Sequence, residues 1–187
     1  MAVRNLDGFF QPRSILLVGP ERIGKAATEL FFANLGRAGF KGKLCFAGLT
    51  PPEGWSGTTV ASLAEFDEKV DLAVVLSGPG SAVEVIERLG ALRIKAGLFL
   101  SRGYDEWSFA TSRLALQAAR KHGLRLIGPG SLGVLSLHGG IDLSLAARPA
   151  KKGDLSLVSR SAAVINSTLA WAEERGVGFS SVVSLGQ

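Results

Sequence analysis

Residues 14–28 read SILLVGPERIGKAAT, which combines an apolar strand, a glycine-bearing turn and the start of a helix. The apolar run 15–18 predicts a buried strand, and Gly19 with Pro20 ends it. From Gly24 to about Ala38, apolar residues recur at the spacing of one buried helical face. A strand that enters a helix through a short turn is typical of the βα unit of an α/β protein.

The turn at residues 19–25 is a candidate phosphate-binding site. The first backbone N–H groups of a helix have no partner within the helix, and the positive end of the helix dipole lies at the same place. Arg22 and Lys25 add positive charge there. The alternative is an ordinary βα turn whose glycines serve only its geometry, and the turn by itself does not separate the two interpretations.

The same turn is a poor dinucleotide fingerprint. That fingerprint requires G-x-G-x-x-G and an acidic residue about 20 residues further on. Gly19 and Gly24 match the outer glycines, but Glu21 stands at the middle position, and no acid follows the second strand before Glu53. NAD is therefore disfavoured. A ligand with an extra phosphate near its adenosine ribose fits better, with Arg22, Lys25, Lys41 and Lys43 as the surrounding cations.

Strands and helices alternate along the rest of the first 130 residues. Further strands are predicted at 43–47, 70–76, 96–100 and 124–127, and helices at 62–69, 81–92 and 109–122. This alternation predicts a doubly wound parallel sheet with helices on both faces. The glycine-rich loops follow the carboxyl ends of the strands, which is the edge where such sheets bind ligands.

The pattern loosens at residues 134–153, and residues 149–153 have the composition of a linker. A βαβ unit then follows, with strands at 154–158 and 181–185 and a helix at 162–175. A βαβ unit alone cannot bury both faces of its strands, so residues 154–187 are interpreted as the start of a second α/β domain. The alternative is that these strands extend the first sheet.

Composition excludes several classes of function. The chain has 187 residues, a net charge of +5, 47% hydrophobic and 20% charged residues, as in a folded globular protein. The basic residues are scattered and not interleaved with aromatic residues, which disfavours nucleic acid as a partner. No secretory signal, membrane-spanning run or metal-ligand spacing is present, and the single cysteine, Cys45, lies in a strand. We expect a cytoplasmic protein without a membrane or metal partner.

The order and spacing of several motifs resemble the coenzyme A-binding domain of the NDP-forming acyl-CoA synthetases, the family of ADP-forming acetyl-CoA synthetase and the succinyl-CoA synthetase α subunit. The similar stretches cover essentially the whole chain. They are LDGFFQPRS at 6–14, the turn at Gly19, VDLAVV at 70–75, GPGSLGV at 128–134, LVSRS at 157–161 and GVGFS at 176–180. The resemblance implies a Rossmann-like CoA-binding domain at 14–148, after an N-terminal segment at 1–13. The start of a flavodoxin-like, succinyl-CoA-ligase-like domain is implied at 154–187.

The resemblance also implies where coenzyme A lies. Its phosphates would lie over the first turn, its adenosine between the loops after strands two and three, and its pantetheine arm along the next two loops. The implied cofactor-binding residues are Gly19, Pro20, Glu21, Arg22, Ile23, Gly24, Lys25, Thr50, Pro51, Ser77, Gly78, Pro79, Ser101, Gly103, Gly130 and Ser131. Ser159, Arg160 and Ser161 would form a phosphate loop that helps to hold a phosphorylated histidine.

The resemblance places that histidine beyond Gln187, so we expect the chain to have no catalytic residue and to require further domains or a nucleotide-grasp subunit. His122 and His138 receive no catalytic role. The family usually has Asn-Cys at Gly130-Ser131 and glycine at Ala162, and Glu21 adds a negative charge to the phosphate turn.

Three hypotheses follow. The first is a CoA-binding module of an NDP-forming acyl-CoA synthetase, which binds CoA or acyl-CoA and can form homo-oligomers. The second is a degenerate regulatory or partner-binding relative, because of the departures above. The third is an NAD(P)-binding oxidoreductase domain, disfavoured by the incomplete fingerprint.

Overall fold

The computed structural model describes residues 6–19, 24–76, 81–100 and 109–186. Its helices are α1 (Asp7–Phe10), α2 (Lys25–Ala38), α3 (Ala82–Ala91), α4 (Phe109–His122) and α5 (Ala162–Arg175). Its strands are β1 (Ser14–Val18), β2 (Lys43–Ala47), β3 (Thr58–Val60), β4 (Leu72–Val75), β5 (Ala96–Leu100), β6 (Arg125–Ser131), β7 (Gly133–Ser136), β8 (Ile141–Ser144), β9 (Lys151–Ser159) and β10 (Gly178–Ser184).

Six of the described strands form one parallel sheet, here called the first sheet, in the order β3-β2-β1-β4-β5-β6. Successive residues of β1 are buried on opposite faces, as the pleat requires. Leu17 lies in a cluster with Phe31 of α2, whereas Leu16 lies in a cluster with Ile86 of α3. The predicted doubly wound sheet with helices on both faces is therefore confirmed.

Two local predictions in this region are wrong. Residues 62–69 contain a single 3₁₀ turn at Leu63–Glu65 instead of a helix, and β3, which was not predicted, pairs with β2. β3 is only three residues long and its side chains are largely exposed. A strand without a buried face has no periodic hydrophobic signal in the sequence.

β7, β8, β9 and β10 form the second sheet, in the order β8-β7-β10-β9. β10 runs parallel to β9 and antiparallel to β7. The interpretation of residues 134–153 as a loose segment is wrong, since β7, β8 and the start of β9 lie there. The alternative that residues 154–187 extend the first sheet is also wrong. α5 covers the second sheet by burying Ile165, Leu169 and Ala172.

α2 connects the two sheets. Phe31 and Leu35 share one core cluster with Leu17 of the first sheet and with Val134 and Leu143 of the second. Beside this apolar contact, Asn34 is 1% exposed, and its amide donates hydrogen bonds to the carbonyl oxygens of Ser144 and Ala146, each 3.0 Å long. The helix therefore holds the second sheet through both apolar and polar contacts.

Asp142 of β8 is a buried carboxyl group beside this contact. Its side chain is 5% exposed, and the Ser144 hydroxyl donates to its Oδ1 over 2.5 Å. Burial raises the pKa of Asp142 to about 6, although the Ser144 hydrogen bond and the charge of Arg37 act in the opposite direction. Desolvation of the charged carboxylate is thus the dominant effect.

Among residues 6–19, 24–76, 81–100 and 109–186, no helix is long and apolar enough to cross a membrane. The same residues contain no group of three or more histidine, cysteine or acidic side chains placed to hold a metal ion.

Candidate functional site

The carboxyl ends of the parallel strands form one edge of the first sheet, and Gly19 follows β1 at this edge. Its N–H donates to the carbonyl of Ala47 over 3.2 Å, and its φ is +141°. A Cβ at this position would lie 3.0 Å from the Cβ of Leu76 and 3.2 Å from its carbonyl oxygen. Glycine is therefore required here both by its backbone conformation and by the close approach of the neighbouring chain.

The start of α2 has the properties of an anion site. Gly24 is its N-cap residue and has no side chain that could cap the first turn. Because the first N–H groups of a helix lack intrahelical partners, they remain directed towards the edge of the sheet together with the positive end of the dipole. Lys25 is the first helical residue, and its side chain is 91% exposed, with only a 3.9 Å contact to Glu29.

Beside this turn lies a cleft of about 610 Å³ between the ends of β1 and β2 and the first turns of α3. The backbone at Gly19 and Gly48 forms its floor, Ser62 and Leu63 form one wall, and Glu84 of α3 lies on the other. This volume lies within the usual range of about 300–1,000 Å³ for small-molecule sites. The cleft is thus large enough for a nucleoside adjacent to the phosphate turn.

Arg88 supports one wall of this cleft. Its guanidinium donates to the carbonyl oxygens of Leu63, Ala64 and Phe66, with distances of 3.3, 2.8 and 2.8 Å. Since its donors are occupied in this way, Arg88 fixes the 3₁₀ turn against α3. The sequence did not predict this wall, because the turn at 63–65 and the strand before it are too short to show a hydrophobic periodicity.

A second group of predicted residues meets at the ends of β6, β9 and β10. The Ser131 hydroxyl donates to the carbonyl of Ser184 over 2.6 Å, and the N–H of Leu132 donates to the Ser184 hydroxyl over 2.9 Å. The N–H of Leu185 donates to the carbonyl of Ser159 over 2.9 Å. Residues 128–131 and residues 159–160, which belong to different parts of the chain, therefore both contact residues 184–186.

The start of α5 lies at this junction and, after the start of α2, is the second helix N-terminus of the candidate site. The Ser161 hydroxyl caps α5 by accepting a hydrogen bond from the N–H of Val164, and the Ser159 hydroxyl accepts one from the N–H of Ser161. Arg160 donates from Nε to the carbonyl of Gly186 over 3.2 Å. The two serines therefore shape the loop, and the remaining first-turn N–H groups of α5 are open to an anion.

The described site residues fall into two groups at one edge of the first sheet. Gly19, Gly24 and Lys25 lie at the end of β1, and Gly130 and Ser131 lie at the end of β6. Ser131 is wholly buried, and its hydroxyl is engaged within the protein. Thr50 and Pro51 lie after β2 but do not line the cleft, whereas Gly48 does. The predicted residues Pro20, Glu21, Arg22, Ile23, Ser77, Gly78, Pro79, Ser101 and Gly103 lie outside the described residues.

The interpretation of Lys41 and Lys43 as cations around the phosphate turn is wrong. Lys43 begins β2 and Lys41 precedes it, so both lie at the amino edge of the first sheet, opposite the turn. Lys43 forms an ion pair with Glu68, which raises the pKa of Lys43 and lowers that of Glu68. Both lysines are close in sequence to the loop after β2, but they lie at the start of this strand. A strand places its start and its end at opposite edges of the sheet, so closeness in sequence did not reveal their position.

Neither histidine lies at the carboxyl edge. The Nε2 of His122 lies 2.6 Å from Oε2 of Glu87, and that of His138 lies 3.1 Å from the carbonyl oxygen of Gly153. Cys45 is fully buried, and burial raises the pKa of its thiol, in agreement with the predicted core role.

Comparison with known families agrees with this geometry. The family model described as CoA binding domain matches residues 13–136. The chain belongs to the CoA-binding domain family. A second model, described as succinyl-CoA ligase like flavodoxin domain, matches residues 152–187.

Curated relatives of this CoA-binding chain include several ADP-forming ligases. Acetate–CoA ligase [ADP-forming] II of Archaeoglobus fulgidus is 26% identical over 191 residues, which cover 98% of this chain and 28% of that protein. The α subunit of acetate–CoA ligase [ADP-forming] I of Pyrococcus furiosus is 27% identical over 193 residues, covering 97% and 41%. The 4-hydroxybutyrate–CoA ligase [ADP-forming] of Nitrosopumilus maritimus is 28% identical over 181 residues, covering 94% and 26%. The chain thus spans well under half the length of these relatives.

A solved structure has the same fold. The dinucleotide-forming acetyl-coenzyme A synthetase 1 of Ca. Korarchaeum cryptofilum, in complex with phosphate and ADP, matches with a TM-score of 0.83 and 22% identity. The match covers 97% of this chain and 39% of that one. The predicted resemblance, the Rossmann-like fold and coenzyme A as the cofactor of this CoA-binding chain are confirmed.

Proposed function

We propose that this chain is the coenzyme A-binding part of an NDP-forming acyl-CoA synthetase and is not catalytic on its own. In the complete enzyme, acyl-CoA, ADP and phosphate would give the free acid, CoA and ATP. The ADP-forming CoA ligases named above support this reaction class, and the chain aligns with 26–41% of their length. The nucleotide chemistry would therefore belong to other domains or to a nucleotide-grasp subunit.

The open N-terminus of α2 carries the proposal for the phosphates. Gly19 allows the chain to pass close to Leu76, Gly24 leaves the first turn of α2 without a side-chain cap, and Lys25 is exposed beside it. Three features that favour a phosphate group therefore coincide within seven residues. The cleft between Gly48 and α3 would take the adenosine.

The pantetheine arm would run along the edge from β1 towards β6. β4 and β5 separate these two strands, so the arm would cross three inter-strand steps of about 4.8 Å each, or about 14 Å in all. It would end near Gly130, where β6 meets the start of α5. There the first-turn N–H groups of α5, held by Ser159 and Ser161, would stabilise a phosphoryl group carried by another segment.

Exposed apolar side chains support contact with further domains. Leu155 and Val158 of β9 are 54% and 59% exposed, and Leu185 after β10 is 45% exposed. β9 is the outer strand of the second sheet among the described residues, so its edge can accept another strand or be covered. Homo-oligomer formation and a cytoplasmic location stay proposals.

The division into domains at 14–148 and 154–187 is also part of the proposal. The two family matches, at 13–136 and 152–187, support it. β7 and β8, however, belong to the same sheet as β9 and β10, so the two units would share strands instead of meeting through a free linker.

Calorimetric titration of the chain with CoA tests the proposal, with dephospho-CoA and NAD as comparators. We expect saturable CoA binding that weakens without the 3′-phosphate. Lys25→Gln should weaken binding by roughly threefold to tenfold, because it removes one charge-assisted phosphate contact. The matched control is Lys41→Gln, which removes the same charge at the opposite edge of the first sheet and should leave the affinity unchanged.

Two outcomes would contradict the proposal. A folded chain that does not bind CoA would favour a degenerate regulatory relative, and binding of NAD alone would favour the oxidoreductase alternative. Equal losses in both lysine variants would show that net charge, and not the α2 turn, governs binding.

A further inference from the structure

The amino edge of the first sheet, opposite the proposed CoA site, contains a second cleft. It has a volume of about 550 Å³ and lies between α1, the turn after α3 and the residues before β4 and β5. α1 approaches the sheet closely here, since a Cβ at Gly8 would lie 2.9 Å from the Cβ of Ala96. This cleft belongs to none of the functions described so far.

Four cationic side chains line the cleft. Arg13, Lys69 and Lys95 lie just before β1, β4 and β5, which are adjacent in the first sheet, and Arg93 lies in the turn after α3. Because the strands are parallel, residues that are far apart in sequence converge at one edge. All four side chains are exposed.

The charges of these side chains are poorly neutralised. Two carboxylates, Asp7 and Asp71, line the cleft against the four cations. The Oδ2 of Asp71 accepts hydrogen bonds from the N–H groups of Arg13 and Ser14 at 2.8 and 3.0 Å and from the Ser14 hydroxyl at 3.0 Å. Lys95 donates to the carbonyl of His122 over 2.8 Å, which leaves its charge unpaired. In the described part of the chain, no carboxylate lies within 4.0 Å of the charged nitrogens of Arg13, Lys69 or Arg93.

Arg93 occupies a backbone position that favours glycine. The N–H of Ile94 donates to the carbonyl of Leu89, and that of Arg93 donates to the carbonyl of Gly90, which is the Schellman pattern at the end of α3. Arg93 takes the left-handed position of this motif with φ +60°. An arginine is disfavoured there relative to glycine, and a role of the guanidinium in the cleft would account for its presence.

We propose that this cleft binds a small polyanion with two or more clustered phosphate groups. Two guanidinium groups can each bind phosphate oxygens in a bidentate manner, and two ammonium groups add point charges. The volume lies within the range of small-molecule sites. The ligand would be bound at the edge opposite CoA, so the inference does not depend on the proposed ligase function.

The test is an NMR titration of the ¹⁵N-labelled chain with sodium tripolyphosphate at constant ionic strength. Amide shifts at Gly8, Arg93 and Ile94 report the amino-edge cleft, whereas those at Gly24 and Lys25 report the CoA edge. We expect saturable shifts in the first group. If the CoA proposal fails, only the shifts at Gly24 and Lys25 should be absent. The outcome for the amino-edge cleft can therefore be distinguished from the outcome for the CoA site.

Arg93→Gly separates binding from folding. It should weaken the amino-edge binding by about tenfold, while the melting temperature stays constant or rises because glycine is relaxed at this φ. Lys69→Gln, which leaves the backbone unchanged, should weaken the same binding. The control Lys152→Gln lies on β9 and should have no effect.

Absence of saturable shifts at Gly8, Arg93 and Ile94 would overturn the proposal. Unchanged affinity in both Arg93→Gly and Lys69→Gln would do the same. An equal loss in Lys152→Gln would also overturn it, because it would show a response to net charge alone.

Discussion

Replacing Asp142 by asparagine should stabilise the protein at neutral pH. The carboxyl group is buried in β8, and its pKa in the folded protein is about 6, compared with an ordinary value of 3.8. The folded state therefore binds this proton more tightly than the unfolded state. The favourable contribution of this proton to the free energy of unfolding is complete below about pH 4 and is lost as the pH rises through 6. Asparagine keeps the shape and an acceptor for Ser144 without the charge.

The magnitude follows from the two pKa values. At about 1.4 kcal/mol per pH unit, the difference between 3.8 and about 6 corresponds to about 3 kcal/mol at pH 7. For a chain of this size, that is a rise in melting temperature of roughly 6–12 °C. The stability of Asp142→Asn minus that of the unsubstituted chain should thus grow by about 2 kcal/mol between pH 4 and pH 7, since part of the effect is already present at pH 4.

Urea unfolding at pH 4, 5, 6, 7 and 8 measures this difference. The subtraction removes the contributions of groups common to both proteins, such as Glu68 and Glu87, whose lowered pKa values act in the opposite direction. Asp154→Asn, at an exposed position of β9, is the control and should give a nearly flat difference. A flat difference for Asp142→Asn, or one that decreases with pH, would refute the assignment of desolvation as the dominant effect.

Two further substitutions test how the elements are held together. Asn34→Ala should lower the free energy of unfolding by about 2–4 kcal/mol, because it leaves the buried carbonyl groups of Ser144 and Ala146 unpaired. Urea unfolding measures this, and a loss below about 0.5 kcal/mol would contradict it. Gly90→Ala should destabilise by about 1–3 kcal/mol, because the new Cβ would lie 2.1 Å from the His122 ring. Gly36→Ala is the matched helical control, since its Cβ would meet only the Trp55 ring at 3.3 Å, and His122→Ala should rescue Gly90→Ala. Equal effects of the two glycine substitutions would refute the packing argument.

Part of the candidate site could be predicted from the sequence. The run 15–18, the glycines at 19 and 24 and the apolar face of α2 are local signals, and they place the candidate phosphate turn at the carboxyl edge. The junction of Ser131 with Ser159 could be expected only from the family resemblance. It depends on hydrogen bonds through Ser184, which is 53 residues from Ser131.

The sequence by itself determined the first sheet except for β3, because its buried strands and amphipathic helices each carry their pattern within a few adjacent residues. Only the tertiary structure decided that β7 and β8 join β9 and β10 in the second sheet. The strands β7 and β8 are short and carry polar residues such as Asp142. They pair with each other, but β10, the strand that joins them to the rest of the second sheet, lies far along the chain. The same holds for the amino-edge cleft, where Arg13, Lys69 and Arg93 converge. Parallel pairing of separated strands brings these cations together, and no local sequence pattern records that convergence.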